Sequence, residues 1–148
     1  MFLGQHRHSL DSKNRLTIPA AYREELGNSV YLLQGFDGNL MLYPAAAFER
    51  MAQNADLLSE TDPDSRLLKR MLFATASWVE MDKSGRVIIS DFLREYAQVT
   101  NEVVVSGARD HFDIWSPAGW EKQLAQLRDA SVATRFAALR IAPQPAAG

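Results

Sequence analysis

The stretch "DSKNR", residues 11–15, returns as "DKSGR" at residues 82–86. How this pattern is read decides the fold. Asp and Arg four apart on a helix face would form an ion pair worth only ~0.3–0.5 kcal/mol. The residues between them argue for something else. The fourth position is Asn14 in one stretch and Gly85 in the other. These residue types accept positive φ most readily. Asp at the first position, with Gly at the fourth, is the preference of a type I turn. Apolar alternation follows each stretch, "LTIP" (16–19) and "VIIS" (87–90). Both stretches therefore read as turns between strands, with Asp11 and Asp82 accepting hydrogen bonds from turn N–H groups.

The two turns belong to a longer repeat. Sliding the chain by 71 positions lays Asp11 on Asp82, Arg15 on Arg86, Leu16 on Val87 and Ile18 on Ile89. One residue further, Leu32 and Leu33 fall on Val104 and Val105, Gly35 on Gly107, Tyr43 on Trp115 and Phe48 on Trp120. Self-similarity of this kind marks a duplicated unit. Each unit reads as strand, turn, strand, short helix, then a hairpin. The first strands are "GQHRHSL" (4–10) and "ASWVEM" (76–81). The short helices start near Pro19 and Ser90, and Gly27 stops the first. The hairpins are "SVYLLQG" with "NLMLY" through "FDG", and "EVVVSG" with "HFDIW" through "ARD".

Helical segments close each unit. Phe48, Met51, Ala55 and Leu58 share one helical face, and Leu67, Met71 and Leu72 continue that character. Trp120, Leu124 and Leu127, then Val132, Phe136 and Leu139, do the same near the C-terminus. The expected organisation is a first repeat at 3–58, a connecting helix at 59–73, a second repeat at 74–142 and a disordered tail at 143–148. A unit of four short strands is too small to bury a good core by itself. The two halves are therefore expected to close one β-rich α+β barrel with helices outside.

The chain has 148 residues, 47% of them hydrophobic, no cysteine and a net charge of −2. Without cysteine there is no disulfide framework and no thiolate chemistry. No apolar stretch is long enough for a signal peptide or a membrane span, so a full-length cytoplasmic chain is expected. The net charge argues against bulk coating of nucleic acid. It leaves room for a local patch, because charges act over a Debye length of roughly 8–10 Å. Residues 1–23 carry Arg7, Lys13, Arg15 and Arg23 against Asp11 alone. The two tips present Arg15 and Arg86 beside Lys13 and Lys83, donors suited to phosphates and, for Arg, guanine edges. Arg15 and Arg86 could equally be structural, each paired with an Asp of its own or the other copy. The two roles are compatible.

"GQHRHSLDSKNRLTIPAAYREEL" (4–26), "VEMDKSGRVIISDFLREYA" (79–97) and "VVVSGARDHFDIW" (103–115) resemble the two halves of the MraZ family, bacterial regulators of the SpoVT/AbrB-like superfamily. The resemblance implies a swapped-hairpin, AbrB-type (double-psi-like) barrel built from two pseudo-symmetric halves. It implies rings of eight or more subunits and double-stranded DNA bound through the Asp-x-x-x-Arg surface. The implied target is repeated sequence upstream of the division and cell-wall gene cluster, repressed together with the protein's own gene in a nucleoid-associated setting. Carried onto this chain, the DNA-binding residues are Arg15, Arg86, Lys13, Lys83 and Arg7. The motif-supporting residues are Asp11, Asn14, Asp82 and Gly85. Ser90 departs from the proline that the family commonly has there and that Pro19 supplies in the first copy.

Two other classes were weighed. An enzyme finds little support: there is no G-x-G-x-x-G, P-loop or G-x-S-x-G signature, and no cofactor is expected. His6 and His8 share a strand face and could begin a metal site, but no third ligand is evident, so no metal is expected. An antitoxin-like interaction module is the alternative reading, with Trp120, Leu124, Phe136 and Leu139 facing a partner rather than a core or ring interface.

Overall fold

The two copies interleave their strands. In the computed structural model, which describes residues 1–141, copy one contributes β1 (Gln5–Ser9), β2 (Arg15–Thr17), β3 (Ser29–Gln34) and β4 (Leu40–Pro44). Copy two contributes β5 (Ser77–Glu80), β6 (Arg86–Ile88), β7 (Glu102–Gly107) and β8 (Phe112–Trp115). Only the hairpins β3–β4 and β7–β8 pair within a copy. The pairings β1–β7, β2–β6, β3–β5 and β4–β8 all cross between copies, and every ladder is antiparallel. Neither half satisfies its strand edges without the other.

The architecture is mixed α+β, and the expected closed barrel is not made. Hydrogen bonding runs through an open six-stranded sheet, ordered β1-β7-β8-β4-β3-β5, and a separate two-stranded sheet, β2-β6. β2 and β6 are only three residues long and spend their ladder on each other. A single bridge, Leu10 to Leu16, joins β2 back toward its own first strand.

Pleating separates two cores. Val30, Leu32, Leu40 and Leu42 of copy one face inward with Val103, Val105, Phe112 and Ile114 of copy two. Leu16 and Val87 of the small sheet, and Ile18 and Ile89 just beyond its strands, close over them, with Tyr22 and Leu26 of α1 (Ala20–Leu26) and Leu93 and Ala97 of α4 (Asp91–Ala97). The intervening residues Leu33, Met41 and Tyr43 point to the opposite face. There α2 (Ala45–Ala55) covers them with Ala47, Phe48 and Ala55. α5 (Pro117–Arg128) lies over copy two, with Trp120 5.8 Å from Trp115, centroid to centroid.

The connecting segment forms α3 (Pro63–Lys69), capped by Asp62 accepting from the Asp64 N–H at 2.9 Å, and a π-helical turn (Arg70–Ala74). Leu67 does not continue the apolar face of α2: it is 65% exposed, while Leu68 and Leu72 pack. α3 is a new helix with its own phase, so periodicity does not carry across the break. In α6 (Ser131–Ala137) Val132 is buried, but Phe136 beside it, and Leu127 and Leu139 nearby, stay exposed in the single chain. The tail expected at 143–148 lies outside the described residues. No described helix is long and apolar enough to cross a membrane.

Candidate nucleic-acid interface

Each tip is a turn locked by its aspartate. The Asn14 N–H donates to the Asp11 carbonyl at 3.0 Å, and the Gly85 N–H to the Asp82 carbonyl at 3.0 Å. Asn14 and Gly85 take φ of 59° and 76°, the left-handed conformation their residue types permit. Asp11 Oδ1 accepts the backbone N–H groups of Lys13 and Arg15, both at 2.9 Å, and Oδ2 accepts Arg15 Nε at 2.7 Å. Asp82 repeats this with the N–H groups of Ser84 and Arg86 at 2.9 Å and with Arg86 Nε at 2.8 Å. The backbone N–H of Arg15 is the main reason the Asp11 carboxyl is held below its ordinary value. Desolvation, next in size, opposes it, and the arginine side chain and the Lys13 N–H add to the lowering. Asp82 is lowered in the same way by Arg86.

The tips also grip each other. The Ile18 N–H donates to the Gly85 carbonyl at 2.8 Å, and the Ile89 N–H to the Asn14 carbonyl at 3.0 Å. Arg15 Nη1 stands 4.0 Å from Asp82 Oδ2, and Arg86 Nη1 stands 3.9 Å from Asp11 Oδ2. The four side chains form a ring of alternating charge. Exposed pairs of this kind add little stability, because solvent screens them. Their effect is to aim two guanidinium groups. Among the described residues, neither Nη1 nor Nη2 of either arginine makes a hydrogen bond. The exposed Lys13 and Lys83 form no ion pair among them. The ring cancels its own charge, so the lysines supply the excess.

Sequence reasoning missed two residues here. Arg23 Nε donates to the Ile18 carbonyl at 2.9 Å, and Arg94 Nε to the Ile89 carbonyl at 3.2 Å. Both fix the strand end that holds the opposite tip. The signal was available: a shift of 71 lays Arg23 on Arg94. Ser90, the departure from proline, accepts the Leu93 N–H at 3.4 Å and caps α4. Pro19 stands at the same place before α1 without a side-chain bond.

Arg7 is not brought into the tips. It projects exposed from β1, with Nη2 3.9 Å from Glu121 Oε1 of α5. Neighbouring Gln5 accepts Trp120 Nε1–H at 2.9 Å. His6 and His8 are half-buried on the other face of that strand. The His6 ring meets Tyr22 edge-on at 5.1 Å. His8 is pushed below its ordinary value by desolvation, then by His6 and Arg23. Among the described residues no three of His, Asp and Glu converge to hold a metal ion.

Fold and site together define a duplicated β-module whose two copies set matched, cross-linked Asp-Arg turns side by side. A family profile described as "MraZ protein, putative antitoxin-like" matches residues 1–71 and again residues 72–140. The chain belongs to the MraZ family. It is 41% identical over 129 residues to a protein of Herpetosiphon aurantiacus, covering 87% of this chain and 90% of that one. It is 40% identical over 141 residues to one of Thermomicrobium roseum (94% and 99%) and 42% identical over 126 residues to one of Pelotomaculum thermopropionicum (85% and 87%). Each of these relatives is named transcriptional regulator MraZ.

Proposed function

We propose that this protein is a sequence-specific DNA-binding transcriptional regulator and not an enzyme. In this reading, Arg15, Arg86, Lys13 and Lys83 meet duplex DNA, positioned by Asp11, Asn14, Asp82 and Gly85. The observation that carries the proposal is the pair of locked tips, each holding by Nε an arginine whose terminal nitrogens make no hydrogen bond, beside an unpaired lysine. Arg7, outside the tips, adds at most a flanking phosphate contact. The target is repeated sequence upstream of its own gene, within the division and cell-wall cluster, which it represses as a cytoplasmic, nucleoid-associated protein.

One subunit offers a small patch, whereas a ring of eight or more would offer a row. DNA spanning several subunits gains by effective concentration, and binding becomes steeply salt-dependent. Exposed apolar side chains support self-association: Leu57 and Leu67 around α2 and α3, and Leu127, Phe136 and Leu139 around α5 and α6. The antitoxin-like alternative would instead give the apolar groove between α5 and α6 to a different protein.

A gel shift with the DNA upstream of this gene, over a salt series, tests the proposal. Arg15→Ala and Arg86→Ala should weaken binding strongly while light scattering shows the oligomer intact. Normal binding by both variants would refute the interface, and loss of the assembly on Arg15→Ala would make that residue structural.

A further inference from the structure

The two tips are not equivalent, and the difference lies in the residues that back them. Arg23, from copy one, lies directly against Gly85 of the copy-two tip. A Cβ built on Gly85 would stand 2.6 Å from Arg23 Nε and 2.7 Å from Cζ. Ile18 closes the arrangement, donating its N–H to Gly85 and accepting Arg23 Nε on its carbonyl. Nε is spent, but among the described residues the terminal nitrogens of Arg23 have neither a carboxylate nor a hydrogen-bond partner. None of its polar atoms is buried and unsatisfied, so those N–H groups meet solvent.

The corresponding residue behind the other tip is in a different state. Arg94 Nη2 is paired with Asp91, the first residue of α4. A shift of 71 lays Ala20 on Asp91, so copy one has no carboxylate at that place. One repeat therefore keeps a neutralised arginine behind Asn14. The other keeps a free cation against Gly85, where the missing side chain leaves the guanidinium room to sit.

We infer that Arg23 is a phosphate-binding residue of the second tip, supplied to it by the first copy. The inference rests on the DNA-binding reading above and adds to it. The 82–86 tip offers Lys83, Arg86 and Arg23 to the backbone, while the 11–15 tip offers Lys13 and Arg15 alone. The second copy thus carries more of the phosphate load, and Ala20 is what leaves the extra cation uncompensated.

The test is fluorescence anisotropy with a labelled duplex from upstream of this gene, from about 0.05 to 0.2 M salt. Arg23→Gln should reduce the salt slope by about one for each subunit engaged. The fall in affinity across that range then becomes about three- to fourfold shallower per engaged subunit. Ala20→Asp, an exposed change that retains Arg23, should lower the slope as Arg23→Gln does, with the melting temperature unaltered. It keeps the test open if Arg23→Gln fails to fold. Asp91→Ala should raise the slope by freeing Arg94. If Arg15→Ala weakens binding while Arg23→Gln and Ala20→Asp keep the wild-type slope, the inference is overturned and the DNA-binding reading stands. If the wild-type protein does not bind the duplex, both fall.

Discussion

Replacing Gly85 with alanine perturbs the second tip in two separable ways. The residue holds φ at 76°, where a Cβ costs roughly 1–2 kcal/mol. That Cβ would also stand 2.6 Å from Arg23 Nε, so the guanidinium must move aside. Moving it gives up the 2.9 Å bond to the Ile18 carbonyl, a further loss of about 1 kcal/mol. Gly85→Ala should therefore cost about 2–3 kcal/mol. In a chain of this length that lowers the melting temperature by roughly 5–10 °C. The assay is urea and thermal unfolding at one fixed protein concentration, because any self-association ties stability to concentration. The control is the same change in an Arg23→Ala background. With the obstruction gone, only the backbone cost remains, so the pair should show a coupling of about 1 kcal/mol. Asn14→Gly, at the matching position of the first tip, should stay within about 1 kcal/mol of wild type because asparagine already tolerates that conformation. An equal cost for Gly85→Ala in both backgrounds would refute the contact with Arg23. A cost below about 0.5 kcal/mol would refute the backbone argument as well.

Two pH predictions follow from the carboxylates and from His111. Asp11 and Asp82 lie below their ordinary value of 3.8, so their stabilising contribution is present above 3.8 and is lost as pH falls through the lowered values. Carboxyl titration by NMR should place both midpoints below 3.8. In Arg15→Ala the Asp11 midpoint should rise only part of the way, because the backbone N–H that dominates its shift remains; full recovery to 3.8 would refute that assignment. His111 stacks on Tyr43 at 4.3 Å. Burial pulls His111 down, but the hydrogen bonds its ring donates to the Asp113 and Asp110 carboxylates outweigh it, leaving the ring above its ordinary 6.5. Its contribution is complete below 6.5 and lost as pH rises through the raised value. Tyr43, pushed to about 12 mainly by burial, stays neutral throughout. Wild type should therefore lose more thermal stability than His111→Gln between about pH 6 and about pH 9, and parallel curves would refute the reading.

The turns, the strands and the duplication were legible because local chemistry sets them. Asn14 and Gly85 mark the left-handed position, Asp11 and Asp82 carry the acceptors a turn needs, and apolar alternation at Leu16 and Val87 marks the strands that follow. Such signals reach only a few residues along the chain. Helix phase is equally local, so Leu67 was misread once α3 began afresh after α2. The Asp-x-x-x-Arg spacing named the site residues. It did not distinguish a DNA contact from a structural pair, and the geometry shows why: each arginine donates Nε to its own aspartate while its terminal nitrogens make no hydrogen bond.

By itself, then, the sequence determined that two like units occur, where each turns, and which residues stand at its tips. The tertiary structure alone decided how the units interleave. Which strand edge pairs with which depends on hydrogen bonds between residues 45 to 101 positions apart, from Leu32 opposite Ser77 to Gln5 opposite Ser106. It also decided that β2 and β6, three residues each, pair together and leave the larger sheet open. Most of all, it decided the inequality of the tips. Arg23 and Arg94 look alike in the repeat and differ only in having Ala20 or Asp91 before them, but packing alone sets Arg23 of one copy against Gly85 of the other.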